Sequence, residues 1–245
     1  MKRLLVFVPC LLLSASAAQQ PPAAAHSAAP SQPAARFAPV AAGERIQNLD
    51  LFKAQLKQYH ECTCKCGCYG RDLNVQADRA IAFLRRRAAH HGAGQKLAVV
   101  FDIDETTLSN YPEMLRNDFE FNMRVFDDWV NTASAAAIPG TLNIYKESRE
   151  LGVAVFFLTG RPESERDATT RNLQAQGFDS WQGLILRSPD DKSPLAEQYK
   201  STERAKIVAQ GYRIILNVGD QWSDLQGKPE AEYSVKYPNP YYFIK

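Results

Sequence analysis

The sequence predicts an α/β domain that is built on a doubly wound parallel sheet. Four short apolar runs lack alternation between polar and apolar residues, which is typical of strands buried on both faces. These runs cover residues 97–101, 153–158, 184–186 and 214–218. Helical stretches separate most of them, and strands that alternate with helices favour a parallel sheet covered on both sides.

The first 17 residues are predicted to be a secretory signal peptide. Lys2 and Arg3 precede a short apolar run, and Ala15-Ser16-Ala17 offers small residues for cleavage. The run is about half of the roughly 20 apolar residues that a membrane-spanning helix needs. We therefore expect a periplasmic or secreted protein without a membrane anchor once the signal is removed.

Residues 18–44 consist mainly of Ala, Pro, Gln and Ser, a composition that buries little apolar surface and predicts a flexible linker. The folded domain is expected at residues 45–245. Beyond the signal, 27 basic residues balance 27 acidic ones, because Lys2 and Arg3 account for two of the 29. This balance argues against a nucleic-acid polymer as a partner and favours a small molecule. The pattern does not predict an oligomeric state.

Two helices are expected to open the domain, because apolar residues recur at helical spacing from Leu49 to Tyr59 and from Ala77 to Leu84. Pro162 suits the first turn of a later helix, which Gly177 would close.

Residues 111–140 form an insertion between the first two predicted strands, where it would lie over the carboxyl ends of the sheet. We expect a small helical cap from about 46–90 and 111–140. Its aromatic residues are interpreted first as the core of the cap. Tyr111 and Trp129 are the candidates for substrate contacts.

Polar residues follow three of the predicted strands at their carboxyl ends, which meet at one edge of a parallel sheet. They are Asp102, Asp104, Thr159, Gly160, Asp220 and Asp224. Four carboxylates without a cation would repel one another, and Mg²⁺ is the usual oxygen-bound metal where phosphate is also bound. Lys200 can supply a further positive charge, next to Ser201 as a predicted helix N-cap.

The motifs that carry these residues resemble the four motifs of the haloacid dehalogenase (HAD) superfamily, which has a Rossmann-type fold. They read DIDETT from Asp102, LTGR from Leu158, YKS from Tyr199 and GDQWSD from Gly219. DIDETTLSN and FLTGRP are closer to the subfamily IIIB acid phosphatases, which include plant vegetative storage proteins. Bacterial class C acid phosphatases are a more distant match. The resemblance extends from about residue 46 to the C-terminus.

The resemblance implies a hydrolase that removes phosphate from small phosphomonoesters through an aspartyl phosphate. Asp102 would be the nucleophile and Asp104 the general acid and base. Thr159, Gly160 and Lys200 would hold the phosphate oxygens.

The resemblance also implies that Mg²⁺ is bound by Asp102, by the backbone carbonyl of Asp104 and by Asp220, with Asp224 close by or acting through water. Lys192 and Lys206 compete for the role of the motif lysine, and the Tyr-Lys-Ser context favours Lys200.

Two other functions use the same fold. A phosphotransferase would pass the phosphoryl group to an alcohol, and the motifs do not separate it from a hydrolase. A storage or binding protein is less favoured, because non-catalytic relatives lose the nucleophile and Asp102 is present here. The substrate itself is not predicted.

Four cysteines lie within seven residues, at Cys62, Cys64, Cys66 and Cys68. Disulfides are the default in an oxidising compartment. Bridge geometry makes i,i+4 or i,i+6 pairing easier than i,i+2 pairing. A site for a soft metal is the alternative, and the sequence leaves both open.

Overall fold

The computed structural model describes residues 46–64 and 68–245. The predicted signal peptide and linker, and Cys66, lie outside the described residues. Within these ranges, the helices do not include one that is long and apolar enough to cross a membrane.

Helices and strands alternate through most of the domain. In chain order the elements are α1 Leu49–Glu61, α2 Tyr69–Ala89, β1 Lys96–Phe101, β2 Leu108–Ser109, α3 Tyr111–Arg116, α4 Met123–Thr132, β3 Ala136–Ala137, α5 Pro139–Glu150, β4 Ala154–Pro162, α6 Arg166–Ala175, β5 Gly183–Arg187, α7 Ala196–Ala209, β6 Tyr212–Gly219, α8 Trp222–Leu225 and β7 Tyr233–Lys236.

Five strands form one sheet in the order β5-β4-β1-β6-β7, and every neighbouring pair is parallel. The chain leaves the central β1 for β4 and β5 on one side, and returns to build β6 and β7 on the other. The predicted doubly wound α/β fold is confirmed, with the four expected strands at β1, β4, β5 and β6. The fifth strand, β7, was not predicted.

Successive residues of β1 point to opposite faces of the sheet, as the two-residue period of a strand requires. Leu97, Val99 and Phe101 belong to the larger core cluster, to which α2, α5 and α6 also contribute. Ala98 and Val100 belong to a second cluster that is closed by side chains of α7. Apolar residues on both faces explain why the sequence of this strand does not alternate.

The segment between β1 and β4 holds α3, α4 and the antiparallel pair β2–β3. Its division from the rest as a cap stays a prediction. Helix α2, which was also expected to belong to the cap, packs along α5. It places Leu73, Leu84 and other side chains in the larger core cluster.

Two local predictions near helix ends were wrong. Ser201 is not an N-cap, because α7 begins five residues earlier at Ala196 with Leu195 as its N-cap. Pro162 is the last residue of β4 and precedes a single 3-10 turn at Glu163–Glu165, so α6 starts only at Arg166. Helix α7 thus starts earlier than Ser201 indicated, and strand β4 continues to the proline that was expected to begin a helix.

Candidate active site

Asp102 lies immediately after β1, and both its backbone amide and its backbone carbonyl are hydrogen-bonded. Its amide donates to the Val218 carbonyl of β6 over 3.0 Å, and its own carbonyl accepts from the Thr107 hydroxyl over 2.5 Å. Thr107 is completely buried. These bonds fix the position of the Asp102 carboxylate beyond the carboxyl end of β1.

Lys200 reaches this carboxylate from the first half of α7. Its ammonium donates to Asp102 Oδ1 over 2.5 Å and to the Leu158 carbonyl over 2.7 Å, and it lies 2.9 Å from Asp224 Oδ1. Lys192 and Lys206 are exposed and bind a loop carbonyl and a surface glutamate instead. Among the three candidate lysines, the structure therefore brings only Lys200 to the carboxylates.

Three carboxylates converge beside this lysine. Oxygens of Asp102, Asp220 and Asp224 lie within 4.8 Å of one another, and all three residues are buried. Burial raises the pKa of Asp102 well above its usual range, and Asp224 and Asp220 raise it further against the opposing charge of Lys200. Burial and Asp224 likewise raise the pKa of Asp220 to about 6.

Three buried carboxylates therefore face one ammonium, which cannot balance the charge of all three when they are ionised. A hard divalent cation would relieve that imbalance, and carboxylate oxygens are the ligands that Mg²⁺ takes. The residues present therefore fit the predicted metal.

Asp104 is bound by two side chains whose role the sequence did not indicate, Arg161 and Asn110. Arg161 donates to it through Nε at 3.1 Å to each oxygen and through Nη2 at 2.6 Å. Asn110 donates to Oδ1 over 2.8 Å. Burial alone would raise the pKa of Asp104, but Arg161 and Asn110 hold it below its usual value.

Thr159 and Gly160 lie near the end of β4, as the motif requires. The Thr159 side chain is completely buried, and its hydroxyl accepts from the Arg161 amide over 3.1 Å. Gly160 is exposed, and a Cβ added there would meet nothing within 4 Å. Steric crowding in this structure therefore does not explain the glycine.

Asp220 directly follows β6, and Asp224 lies four residues later in the short helix α8. Asp224 Oδ2 accepts from the Gln221 amide over 2.9 Å, and its carbonyl accepts from the buried Arg204 over 2.6 Å. A Cβ on Gly219 would lie 2.4 Å from Asp224 Cβ, so the turn needs a glycine there. Arg204 lies on α7 four residues after Lys200, a spacing that places both on one side of that helix.

Two buried carboxyl groups near the site were also missed. Burial raises the pKa of Glu105 to about 8, and one of its carboxylate oxygens has no hydrogen-bond partner. Burial likewise raises the pKa of Glu165 to about 7, against the attraction of Arg161. The DIDETT and LTGR motifs placed both residues near the site, but only packing determines their burial.

Tyr111 and Trp129 are nearly buried, at 7% and 8% exposure. The Tyr111 ring stacks on His60 and its hydroxyl donates to Glu61 over 3.1 Å. Trp129 Nε1 donates to Asn110 over 2.9 Å. Through Asn110, Trp129 therefore supports Asp104, and a direct substrate contact stays a prediction for both aromatic residues.

The cysteine loop joins α1 to α2, and Cys62 and Cys68 form a disulfide across six residues. This is one of the spacings favoured from the sequence. The Cys64 sulfur lies 2.9 Å from that of Cys62 and 3.3 Å from that of Cys68. The sulfurs of Cys62, Cys64 and Cys68 thus converge, and a soft metal would bind them only with the Cys62–Cys68 disulfide reduced.

Comparison with curated proteins finds plant relatives. Acid phosphatase 1 of Solanum lycopersicum is 45% identical over 59% of this chain and 58% of its own length. The stem 28 kDa glycoprotein of Glycine max is 42% identical over 72% of this chain and 70% of its own length. Vegetative storage protein 2 of Arabidopsis thaliana is 33% identical over 59% of this chain and 56% of its own length. The chain therefore spans less than two thirds of the tomato relative.

Among solved structures, the class C acid phosphatase of Bacillus anthracis with tungstate bound superposes with a TM-score of 0.64 at 23% identity. The match covers 78% of this chain and 85% of that one, and it supports the fold. The family described as HAD superfamily, subfamily IIIB (acid phosphatase) matches residues 23–245. This chain belongs to subfamily IIIB of the HAD superfamily, the acid phosphatases.

Proposed function

We propose that this protein hydrolyses small phosphomonoesters through an aspartyl phosphate on Asp102. The observation that carries the proposal is the contact of the Lys200 ammonium with both Asp102 and Asp224, beside the end of β4. A lysine in this position can neutralise a phosphate whose phosphorus lies in front of the nucleophile. Membership of the acid phosphatase family supports the same reaction.

Two transfers make up the proposed reaction. Asp102 attacks phosphorus, the bond to the ester oxygen breaks, and Asp104 gives its proton to that oxygen. Asp104, now ionised, takes a proton from water as the water oxygen attacks phosphorus. The bond to Asp102 breaks, and inorganic phosphate leaves. Lys200 and Thr159 bind the non-bridging oxygens in both steps.

Asp102, the backbone carbonyl of Asp104, Asp220 and Asp224 would hold Mg²⁺. The bound ion supplies positive charge that lets a carboxylate and a phosphate approach each other. The mutual proximity of three buried carboxylates supports this assignment.

Export of the protein is part of the proposal. It rests on the predicted signal peptide at residues 1–17 and on relatives that are named as stem glycoproteins.

Phosphate release from a panel of monoesters, measured with and without Mg²⁺ at several pH values, tests the function. We expect release from p-nitrophenyl phosphate and from alkyl phosphates such as glycerol phosphate. EDTA should stop it, and added Mg²⁺ should restore it. The variant Asp102→Asn should lose this activity. Asp190→Asn is its matched control, because Asp190 is an exposed aspartate in the loop after β5. Full activity after exhaustive chelation would remove the metal from the proposal.

An alcohol acceptor in the same assay separates hydrolysis from phosphoryl transfer. If most of the phosphoryl group appears on the alcohol, the protein is a phosphotransferase that uses the same intermediate. If all esters remain intact at every pH with Mg²⁺ present, the storage or binding function is favoured instead.

A further inference from the structure

The C-terminal residues 238–245, which we name the C-terminal strap, run beside the loop that carries Asp220. Directly before the strap, the Tyr237 amide donates to the Gly219 carbonyl over 2.8 Å. Near its end, the Ile244 amide donates to the Gln221 side chain over 3.0 Å. The strap is thus held near both ends by bonds to the residues that flank Asp220.

Asn239 contacts the Asp220 carboxylate from within this strap. Its Nδ2 donates to Asp220 Oδ2 over 2.6 Å. Its Oδ1 accepts from the backbone amides of Tyr241 and Tyr242, over 2.9 and 3.3 Å. These bonds determine the orientation of the Asn239 side-chain amide. Exchanging Oδ1 and Nδ2 would place an oxygen against the Asp220 carboxylate and a nitrogen against two backbone N–H groups.

The sequence around Asn239 makes this arrangement stiff. Pro238 and Pro240 flank it, and each proline restricts its own backbone and that of the preceding residue. Asn239 caps the turn that follows by binding two amides with one side-chain oxygen. Little conformational freedom is left to be lost when the side chain binds Asp220.

Both oxygens of Asp220 are oriented by donors. Oδ2 accepts from Asn239 and from Gln221 Nε2 over 2.7 Å, while Oδ1 accepts from the Thr106 hydroxyl over 3.0 Å. Asp220 is 1% exposed, so these bonds are shielded from water. They prevent rotation of the carboxylate and keep it facing Asp102 and Asp224.

We propose that Asn239 is a positioning residue that orients Asp220 to bind a divalent cation, and that the C-terminal strap is therefore part of the metal site. The inference rests on the proposed function for the identity of the site. Groups that orient the ligands of a metal commonly contribute about 10- to 100-fold in metal affinity. Because binding linkage is reciprocal, the cation should also hold the strap more firmly in place.

Mg²⁺ binding to the full chain, measured by titration calorimetry, is the first test. We expect Asn239→Ala to weaken binding by about 10- to 100-fold. Phe243→Ala is the control, because Phe243 lies in the same strap and is 70% exposed. Binding by Asn239→Ala equal to that of the wild type would overturn the proposal. An equal loss in both variants would assign the effect to the strap as a whole and would also overturn the role of Asn239.

Amide hydrogen exchange of residues 238–245 gives a readout that does not depend on turnover. In the wild type, added Mg²⁺ should slow exchange of the Tyr241 and Tyr242 amides, a result that needs no variant to fold. Asn239→Ala and Asp220→Ala should each speed exchange of these amides. If the wild type binds no divalent cation, the metal assignment of the proposed function fails. In that case, unchanged exchange in Asp220→Ala would separately refute the coupling between Asp220 and Asn239.

Discussion

Replacement of Lys200 is the perturbation that most directly tests the proposed chemistry. Lys200→Met keeps an unbranched side chain of similar length in α7 and removes the ammonium, which bonds two carboxylates and the Leu158 carbonyl. The lysine is 4% exposed, so water does not replace these bonds easily. Burial alone would lower its pKa, but Asp102 and Asp224 raise the pKa above its usual value, which keeps the group charged.

The expected loss has two sources. Removing one donor to a developing charge costs about 3–4 kcal/mol, which corresponds to about 10²- to 10³-fold in kcat. In addition, Asp102 and Asp224 lose their shared cation, which raises the pKa of Asp102 further and leaves less of the nucleophile ionised. Breaking a buried ion pair by removing one partner destabilises a fold by ~3–5 kcal/mol. A lower melting temperature without Mg²⁺ should therefore accompany the loss of rate.

Steady-state kcat with p-nitrophenyl phosphate and saturating Mg²⁺ is the assay, with melting temperature as the check on folding. Lys206→Ala and Lys192→Ala are the controls, because both lysines are exposed and lie away from the carboxylates. Both controls should keep the wild-type rate. A Lys200→Met enzyme within tenfold of the wild type would refute the reasoning. So would a large loss in either control.

Three further substitutions test separate parts of the site. Asp102→Asn should abolish turnover and keep the fold, since an amide has the shape of the carboxylate without its nucleophilicity; kcat and melting temperature together check this. With an aryl phosphate, Asp104→Asn should be phosphorylated at much of the wild-type rate but should lose hydrolysis of the aspartyl phosphate. Phospho-enzyme should therefore accumulate, and acid quenching after reaction with a radiolabelled substrate would detect it. Arg161→Gln should raise the depressed pKa of Asp104, so more of this acid stays protonated and the fall in kcat with rising pH should move to higher pH with an alkyl phosphate.

For each of these three variants, a different result would contradict the assigned role. Turnover by Asp102→Asn within tenfold of the wild type would place the nucleophile elsewhere. Equal slowing of Asp104→Asn with aryl and alkyl esters, without trapped phospho-enzyme, would make Asp104 a metal or structural residue. An unmoved pH limb in Arg161→Gln would show that the Arg161 contact does not control the proton of Asp104.

Much of the sheet and the position of the carboxylate cluster could be predicted from the sequence, because both depend on local pattern. Strands buried on both faces reveal themselves as unbroken apolar runs. In a parallel sheet their carboxyl ends meet at one edge, so Asp102, Thr159 and Asp220 had to converge once β1, β4 and β6 were recognised. The edge strand β7 escaped because only Val235 of its four residues is buried.

The residues that hold these carboxylates in place could not be predicted in the same way. Arg161 and Asp104 are 57 residues apart, and Asn239 and Asp220 are 19 apart, so only the packing of separate segments brings them together. A Pro-Asn-Pro sequence by itself indicates a turn and carries no sign of a carboxylate partner. The N-cap at Ser201 failed for a related reason. Helix α7 begins earlier, and Lys200 reaches the carboxylates from within the helix.

The contacts of Asp104 change what should limit the proposed reaction. By its resemblance to the HAD phosphatases, the sequence assigns Asp104 the role of general acid and base. The structure adds Arg161, whose bonds lower the pKa of Asp104. A carboxyl group with a depressed pKa is protonated only in acid, which restricts its role as the acid that expels an alkoxide. Its ionised form remains ready to accept a proton from water. Departure of a poor leaving group, rather than hydrolysis of the aspartyl phosphate, should therefore limit turnover of alkyl esters, and a higher pKa of Asp104, as expected in Arg161→Gln, should favour that step.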